Sequence, residues 1–278
     1  MRSITLTLSS SSKPILGVIA LLISSWVIPY AEASEPDHQL WNSLLKSHVI
    51  NIHDGHATQV DYRAIQQEAV LLKRYLDHLS AVKRSDFDQW SNNQQLAFLI
   101  NAYNAWTVQL ILSQYPNLDS IKDLGGLFKS PWKQEFIPLL EQTRSLDNIE
   151  HTLIRGSSRY NDPRIHFAVN CASIGCPALR AEAYTADKLD AQLEEQTQLF
   201  LADQSRNRLR DGRLEVSSIF KWYREDFEKG WEGTRSLAEF LTHYRTSLGL
   251  TDDQKGRVIS GEIDITFLDY DWRLNDKP

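Results

Sequence analysis

The sequence predicts an α+β fold, a helix-rich single domain with a small, mainly antiparallel sheet in its C-terminal half. In the first half, apolar residues recur at the 3.6-residue spacing of helices. In the second half, short alternating apolar runs and a two-residue turn signal predict strands. The chain has no internal repeat and no low-complexity linker, which favours one domain over residues 34–278.

The first 33 residues have the pattern of a cleavable secretory signal peptide. Arg2 and Lys13 are followed by an apolar stretch from Ile15 to Ile28, and Ala31-Glu32-Ala33 is a small-x-small cleavage sequence. An uncleaved anchor is the alternative, but this stretch is shorter than the roughly 20 residues that span a bilayer. We therefore expect cleavage after Ala33, an exported protein in the periplasm or outside the cell, and no stable membrane span afterwards.

The charge and the motifs of the chain narrow the partners it could have. The formal net charge is −6 and there is no long basic run, which is unfavourable for nucleic-acid binding. Glycine-rich phosphate loops, G-x-S-x-G and H-E-x-x-H are absent, so no cofactor or metal is expected. The expected partner is an unidentified small molecule or a component of the cell envelope.

Three helical segments are predicted before residue 114. The first includes Leu40–Val49, and a polar stretch from Asn51 to Gln59 separates it from a second that Asp61 caps and that ends near His78. The third, Asn92–Ser113, is apolar on nearly every face and is therefore predicted to be central.

Two amides lie within that central helix. Asn101 and Asn104 are three residues apart and so share one side of it. They would either satisfy buried backbone groups or line a site, and the sequence leaves both interpretations open.

The second half alternates between helices and strands. Ser145 is predicted to cap a helix that Gly156 ends, and Ile165–Val169 reads as a short buried strand. The remaining predictions are a helix that Thr185 caps and that ends at about Leu201, a hairpin over Arg208–Val216 turning at Asp211-Gly212, helices over Ile219–Phe227 and Leu237–Tyr244, and a strand over Val258–Trp272.

The segment after the predicted strand is the candidate reactive site. Cys171 follows a rigid element and has small neighbours, which would let a substrate approach. A nucleophilic thiolate needs a base, for which His166 and His151 are candidates, and Glu150 or Asn101 could orient that base. In an extended chain His166 and Cys171 would point to opposite faces, so their pairing requires a sharp turn after Val169.

Cys171 and Cys176 allow four interpretations. They could form a disulfide, which is common in exported proteins. Cys171 could instead be a reactive thiol, the pair could bind a metal together with His166, or both could be plain buried thiols.

Several separated motifs resemble the domain-of-unknown-function 547 family. They are Phe98–Asn104, Ile149-Glu150-His151 with Arg155, Asp162–Ser173 with Cys176-Pro177, Ile219–Tyr223 with Asp226-Phe227, and Tyr270–Asn275. The likeness extends from about Trp41 to Asn275. The family includes exported bacterial proteins, which this chain resembles. In plant members of the family the position of Cys176 is often serine, which implies that the fold does not need this cysteine and favours a reactive Cys171.

Two hypotheses for the function arise from these observations. The first is a cysteine-dependent hydrolase or acyl transferase of the cell envelope, with Cys171 as nucleophile and His166 or His151 as base. Glu150, Asn101 and Asn104 would orient the base or polarise a carbonyl. The alternative is a non-enzymatic module that binds a ligand or a protein and has a structural Cys171–Cys176 disulfide.

Three tryptophans, Trp222, Trp231 and Trp272, could also form a sugar-stacking platform, although core packing is the ordinary role of such residues.

Overall fold

The computed structural model describes residues 36–126 and 130–278, together with Met1 and Ser3. The chain divides into two units, Met1–Glu32 and Ala33–Pro278, and the described helices and strands lie in the second. Apart from Met1 and Ser3, the predicted signal peptide lies outside the described residues. Within the described residues, no helix is long and apolar enough to cross a membrane.

Helices make up most of the regular structure in the described part of the chain. The α-helices are α1 (Gln39–His48), α2 (Tyr62–Gln67), α3 (Ala69–Ser80), α4 (Arg84–Phe87), α5 (Asn92–Leu112), α6 (Leu189–Ala202), α7 (Ile219–Trp222), α8 (Arg224–Phe227), α9 (Leu237–His243) and α10 (Asp252–Ile259). A π-helix spans Asn148–Ile154, and 3₁₀ turns span His53–Gly55, Ile121–Leu124, Pro131–Lys133, Pro163–Phe167 and Trp231–Gly233.

The strands form three small sheets. Two are antiparallel hairpins, β1 (Val49–Ile52) with β2 (Ala57–Val60) and β3 (Ile137–Leu139) with β4 (Gln142–Arg144). The third contains β5 (Arg208–Arg210), β6 (Arg213–Val216) and β7 (Ile265–Phe267), in which β6 pairs antiparallel with β5 and parallel with β7. The α+β class is confirmed, but sheets are not confined to the C-terminal half.

Helix α5 is central, as the sequence predicts. Its N-terminus is held by a capping box in which Ser91 and Gln94 satisfy each other's backbone N–H groups. Almost every residue from Gln95 to Ile111 is buried, because α2, α3 and the π-helix pack around it. An element covered on all sides gains from apolar residues on every face.

One hairpin was not predicted, and two predicted strands are wrong in whole or in part. The polar stretch Asn51–Gln59 is largely the β1–β2 hairpin. The predicted strand Ile165–Val169 lies mainly in a 3₁₀ turn, because Pro163 is suited to the first helical position and the Asp162 carboxylate accepts a hydrogen bond from the Arg164 N–H. Within Val258–Trp272 only Ile265–Phe267 is strand, since α10, capped by Thr251, extends to Ile259.

Two hydrophobic cores meet at this 3₁₀ turn. Ile165, Ala168 and Val169 belong to the first core, built around α1–α6. Phe167 belongs to the second, which includes phenylalanines of α6, α7, α8 and α9. The segment that leads into Cys171 is therefore held between two packed clusters, and this places the candidate site at their junction.

Candidate functional site

A cavity of about 230 Å³, which we call the aromatic pocket, lies at that junction. Six aromatic residues line it: Tyr103, Trp132, Trp222, Tyr223, Tyr270 and Trp272. Its polar and sulfur-containing lining consists of Asp147, Glu150, His151, His166, Cys171 and Cys176, together with Ser130. Four of the residues predicted from the sequence, Cys171, His166, His151 and Glu150, are thus brought to one cavity.

The π-helix supplies the acidic wall of the pocket. Ser145 caps its start by accepting a hydrogen bond from the Asn148 N–H (3.1 Å), as predicted, but the helix is of the π type. The Arg155 N–H donates to the Glu150 carbonyl five residues earlier (2.9 Å). Glu150 is 6% exposed and His151 is half-buried, and both line the pocket. Short π-helical segments are found frequently at functional sites.

Gly156 ends this π-helix in a space that excludes a side chain. A Cβ atom at this position would lie 2.9 Å from the carbonyl oxygens of both His151 and Thr152. We expect Gly156→Ala to lower the free energy of unfolding by about 1–3 kcal/mol, as overpacking does. Gly256→Ala in α10 is the matched control, because nothing lies within 4 Å of its Cβ position. It should leave stability unchanged or raise it by up to about 1 kcal/mol. Urea denaturation of both variants measures the contrast, and equal effects would contradict the steric argument.

His166 is buried and held by a partner from α8. Its Nε2 lies 2.8 Å from the Asp226 carboxylate, and its ring stacks on Tyr223 with the centroids 4.1 Å apart. Burial lowers the pKa of His166, although the hydrogen bond to Asp226 opposes this effect. The imidazole is therefore neutral near pH 7, and with Nε2–H donating to Asp226 its Nδ1 is an acceptor. No group among the described residues donates a hydrogen bond to Nδ1.

Asp226 is a site residue that the spacing of residues in the sequence does not indicate. Burial opposes ionisation of Asp226, but hydrogen bonds from His166, Arg155 (2.5 Å) and Lys229 (2.6 Å) outweigh it and hold the pKa of the carboxyl well below its usual range. A permanently ionised Asp226 keeps the His166 ring in one orientation. The only sequence signal for it was its place in the family motif Asp226-Phe227.

The tyrosine hydroxyls of the pocket remain protonated. Burial, together with the charge and hydrogen bonding of the nearby Glu150 carboxylate, raises the pKa of Tyr103 and of Tyr223 well above the usual value. Burial raises the pKa of Tyr270 as well. These hydroxyls can therefore donate hydrogen bonds over the whole physiological pH range.

Cys171 and Cys176 form a disulfide, so the first of the four interpretations describes the chain in this structure. Cys171 is half-buried and Cys176 is 4% exposed, and both sulfurs border the pocket. A bridged Cys171 has no thiolate and acts as a nucleophile only after reduction. Within residues 36–126 and 130–278, no cluster of three or more His, Cys, Asp or Glu side chains is arranged to hold a metal ion.

Asn101 and Asn104 lie behind the pocket and are not part of its lining. The Asn101 amide donates to the Tyr184 carbonyl (2.8 Å) and accepts from the Tyr184 N–H (3.0 Å). The Asn104 amide donates to the Ala168 carbonyl (2.9 Å) and accepts from the Asn170 N–H (2.8 Å). Both amides satisfy buried backbone groups, which matches the structural interpretation of these residues.

Residues 87–201 match the family model described as "Protein of unknown function, DUF547". This segment is similar to the DUF547 family. The resemblance is confirmed over this segment, which covers less than half of the chain and includes Glu150, His151, His166 and Cys171. Trp222, which lines the pocket, and Asp226, which bonds His166, lie outside the matched segment. The comparisons with curated proteins and with solved structures gave no match.

Proposed function

We propose that this protein is exported and binds a small hydroxylated ring compound, of the carbohydrate class, in the aromatic pocket. The observation that supports it is the exposure of Trp222, whose side chain is 47% accessible although it borders the pocket. A large aromatic ring left partly open beside a cavity is typical of a surface that a ligand covers. The signal-peptide pattern and the disulfide both favour an oxidising compartment.

The tryptophans of the pocket form a continuous aromatic wall. Trp222 and Trp272 stack at 5.7 Å with 25° between their planes, and Trp132 meets Trp272 edge-on. The Lys122 ammonium lies 3.6 Å from the centroid of Trp272 and covers one of its faces. Trp222 is therefore the ring best placed to receive a ligand. The predicted platform is revised accordingly, because Trp231 packs against Phe240 and Tyr244 of the second core.

The polar groups of the pocket suit the hydroxyl groups of such a ligand. The Glu150 carboxylate is an acceptor, and the protonated tyrosines are donors. The carbon-bound hydrogens of a sugar ring give it an apolar face that packs on tryptophan, while its hydroxyls need both donors and acceptors. A pocket with one apolar wall and a mixed polar floor meets both requirements.

Calorimetric titration of the purified protein with a panel of neutral mono- and oligosaccharides tests this proposal. We expect Trp222→Ala to weaken binding roughly tenfold, because it removes the stacking surface, while Trp222→Phe retains part of the affinity. Val70→Ala, which shortens a side chain that is 73% exposed outside the pocket, is the control and should bind as the wild type does. The proposal is contradicted if no saccharide binds, or if Trp222→Ala binds as tightly as Val70→Ala.

A second proposal, a cysteine-dependent hydrolase or acyl transferase, is favoured by a separate observation. Cys171 and His166 line one cavity, and Nδ1 of His166 is left without a partner among the described residues. With the bridge open, His166 could take the Cys171 proton and return it to the leaving group. Cys176→Ala should then hydrolyse model thioesters without added reductant, whereas Cys171→Ala should not. Equal rates for the two variants would contradict a nucleophilic Cys171.

A further inference from the structure

The surroundings of the Cys171–Cys176 disulfide differ between its two sulfurs. Cys171 is half-buried at the wall of the aromatic pocket, whereas Cys176 is 4% exposed. An attacking thiolate would therefore reach the sulfur of Cys171 more readily. In that reaction Cys176 is the leaving group.

Hydrogen-bond donors converge on the sulfur of Cys176. The Cys171 N–H donates to it at 2.9 Å, the Tyr270 hydroxyl lies at 3.2 Å, and the Ser173 hydroxyl at 3.5 Å. The two hydroxyls also lie 3.2 and 3.3 Å from the sulfur of Cys171. Donors of this kind bind a disulfide sulfur weakly but a thiolate strongly, because a charged acceptor roughly doubles the strength of a hydrogen bond.

These donors are held in place before any reduction. The Gly175 N–H donates to the Asp271 carbonyl and the Ile174 N–H to the Arg273 carbonyl, both at 2.8 Å. These bonds connect the loop between the two cysteines to the segment that contains Tyr270. A Cβ atom at Gly175 would lie 3.0 Å from the Asp271 backbone and from the Tyr270 ring, so glycine permits this close approach. A preformed donor set needs no reorganisation when the charge appears.

A buried ion pair lies beside Cys176. The buried Arg206 guanidinium donates a hydrogen bond to the Cys176 carbonyl. It also forms an ion pair with Asp203, so its positive charge is balanced. A thiolate on Cys176 would therefore form close to a buried cation as well as to its hydrogen-bond donors.

We infer that the Cys171–Cys176 bridge is a redox-active disulfide that exchanges with low-molecular-weight thiols entering the aromatic pocket. A substrate thiolate attacks the sulfur of Cys171, a mixed disulfide with Cys171 forms, and the S–S bond breaks with its electron pair going to Cys176. A second substrate thiolate then attacks the substrate sulfur of the mixed disulfide and releases a substrate disulfide and the Cys171 thiolate. Two substrate thiols lose two electrons and two protons, and the protein gains them as two thiols.

This activity does not depend on the proposed carbohydrate ligand. The full-length protein is equilibrated under native conditions in buffers of reduced and oxidised glutathione, trapped with an alkylating agent, and its reduced fraction is read by mass. We expect wild-type protein to reach equilibrium reversibly, with both forms populated. Tyr270→Phe removes a donor and should shift the equilibrium towards the disulfide roughly tenfold, the effect of one hydrogen bond to a charged sulfur. Tyr160→Phe, which removes a hydroxyl bonded to Gln95 on another element, should leave it unchanged.

Two single-cysteine variants test which sulfur is attacked. Cys176→Ser should form a mixed disulfide with oxidised glutathione in the folded protein, and Cys171→Ser should form it at least about tenfold more slowly, because reactivity follows exposure. The inference is overturned if the wild-type bridge opens only after denaturation, if Tyr270→Phe and Tyr160→Phe have the same equilibrium constant, or if Cys171→Ser reacts faster. A disulfide that resists reduction in the folded state would have a structural role only.

Discussion

Replacing Asn104 by alanine is expected to lower the free energy of unfolding by about 2–6 kcal/mol, because two buried backbone groups lose their partner at about 1–3 kcal/mol each. The Asn104 amide joins α5 to the segment before Cys171 by bonding both the Ala168 carbonyl and the Asn170 N–H. Asn104 is 2% exposed and Asn170 is 3% exposed, so water cannot easily replace the amide. Chemical denaturation followed by circular dichroism measures the change.

The exposed residue Asn117 provides the control for this variant. Asn117→Ala lies on the surface after α5 and should change stability by less than about 0.5 kcal/mol. If Asn104→Ala is no less stable than Asn117→Ala, the amide does not hold the cysteine segment. A large loss would instead show that the amide ties the central helix to the segment that leads into Cys171.

Asp226→Ala should cost about 3–5 kcal/mol near neutral pH, the usual effect of removing one partner from a buried ionic network. The substitution leaves the His166 ring, the Arg155 guanidinium and the Lys229 ammonium without their shared carboxylate. The Asp226 side chain is 9% exposed and that of His166 is 1% exposed, so solvent screens this pair poorly, whereas Lys229 is 48% exposed. Because His166 loses its orienting partner, any function that uses Nδ1 of His166 should fall together with stability.

The pH dependence of this loss has a definite sign. The pKa of Asp226 is lower in the folded protein than in the unfolded chain, where it is about 4. Its contribution to stability is therefore complete above that value and is lost as the pH falls below it. The difference in unfolding free energy between wild type and Asp226→Ala should shrink when the pH is lowered from about 7 towards 3. Urea denaturation across that range measures it.

A surface ion pair provides the comparison for Asp226. Asp253 is 79% exposed and pairs with Arg257 along α10. Asp253→Ala should cost less than about 1 kcal/mol at any of these pH values. If the loss in Asp226→Ala were as small, or did not decrease with acid, Asp226 would not be the carboxylate that stabilises the junction of the two cores.

Elements with short-range signals could be predicted from the sequence. The central helix agrees with its predicted bounds to within one residue, because the cap at Ser91 and the apolar pattern both lie within a few residues of its ends. Asp61 caps α2 as expected by accepting a hydrogen bond from the Ala64 N–H. The hairpin β5–β6 turns at Asp211-Gly212, where both residues have positive φ, the conformation that this dipeptide favours. Such signals depend on neighbours within a few residues, so they survive without tertiary contacts.

The candidate site was only partly predictable from the sequence, because its contacts join residues that are far apart along the chain. The sequence identified Cys171, His166, His151 and Glu150 by residue type, and the structure brings them to one cavity. It could not show that Asp226, 60 positions from His166, is the partner of its imidazole, because that contact depends on how α8 packs against the second core.

What the sequence by itself determined is the α+β class, the central helix, the main turn and the family resemblance. Tertiary packing alone decided the rest. It placed the Pro163–Phe167 turn between two cores, directed the Asn101 and Asn104 amides towards backbone partners, and brought Trp222 and Tyr270 to the pocket that both cysteines line. The physical reason is that local backbone preferences select elements, whereas burial of apolar surface from distant segments selects which side chains meet.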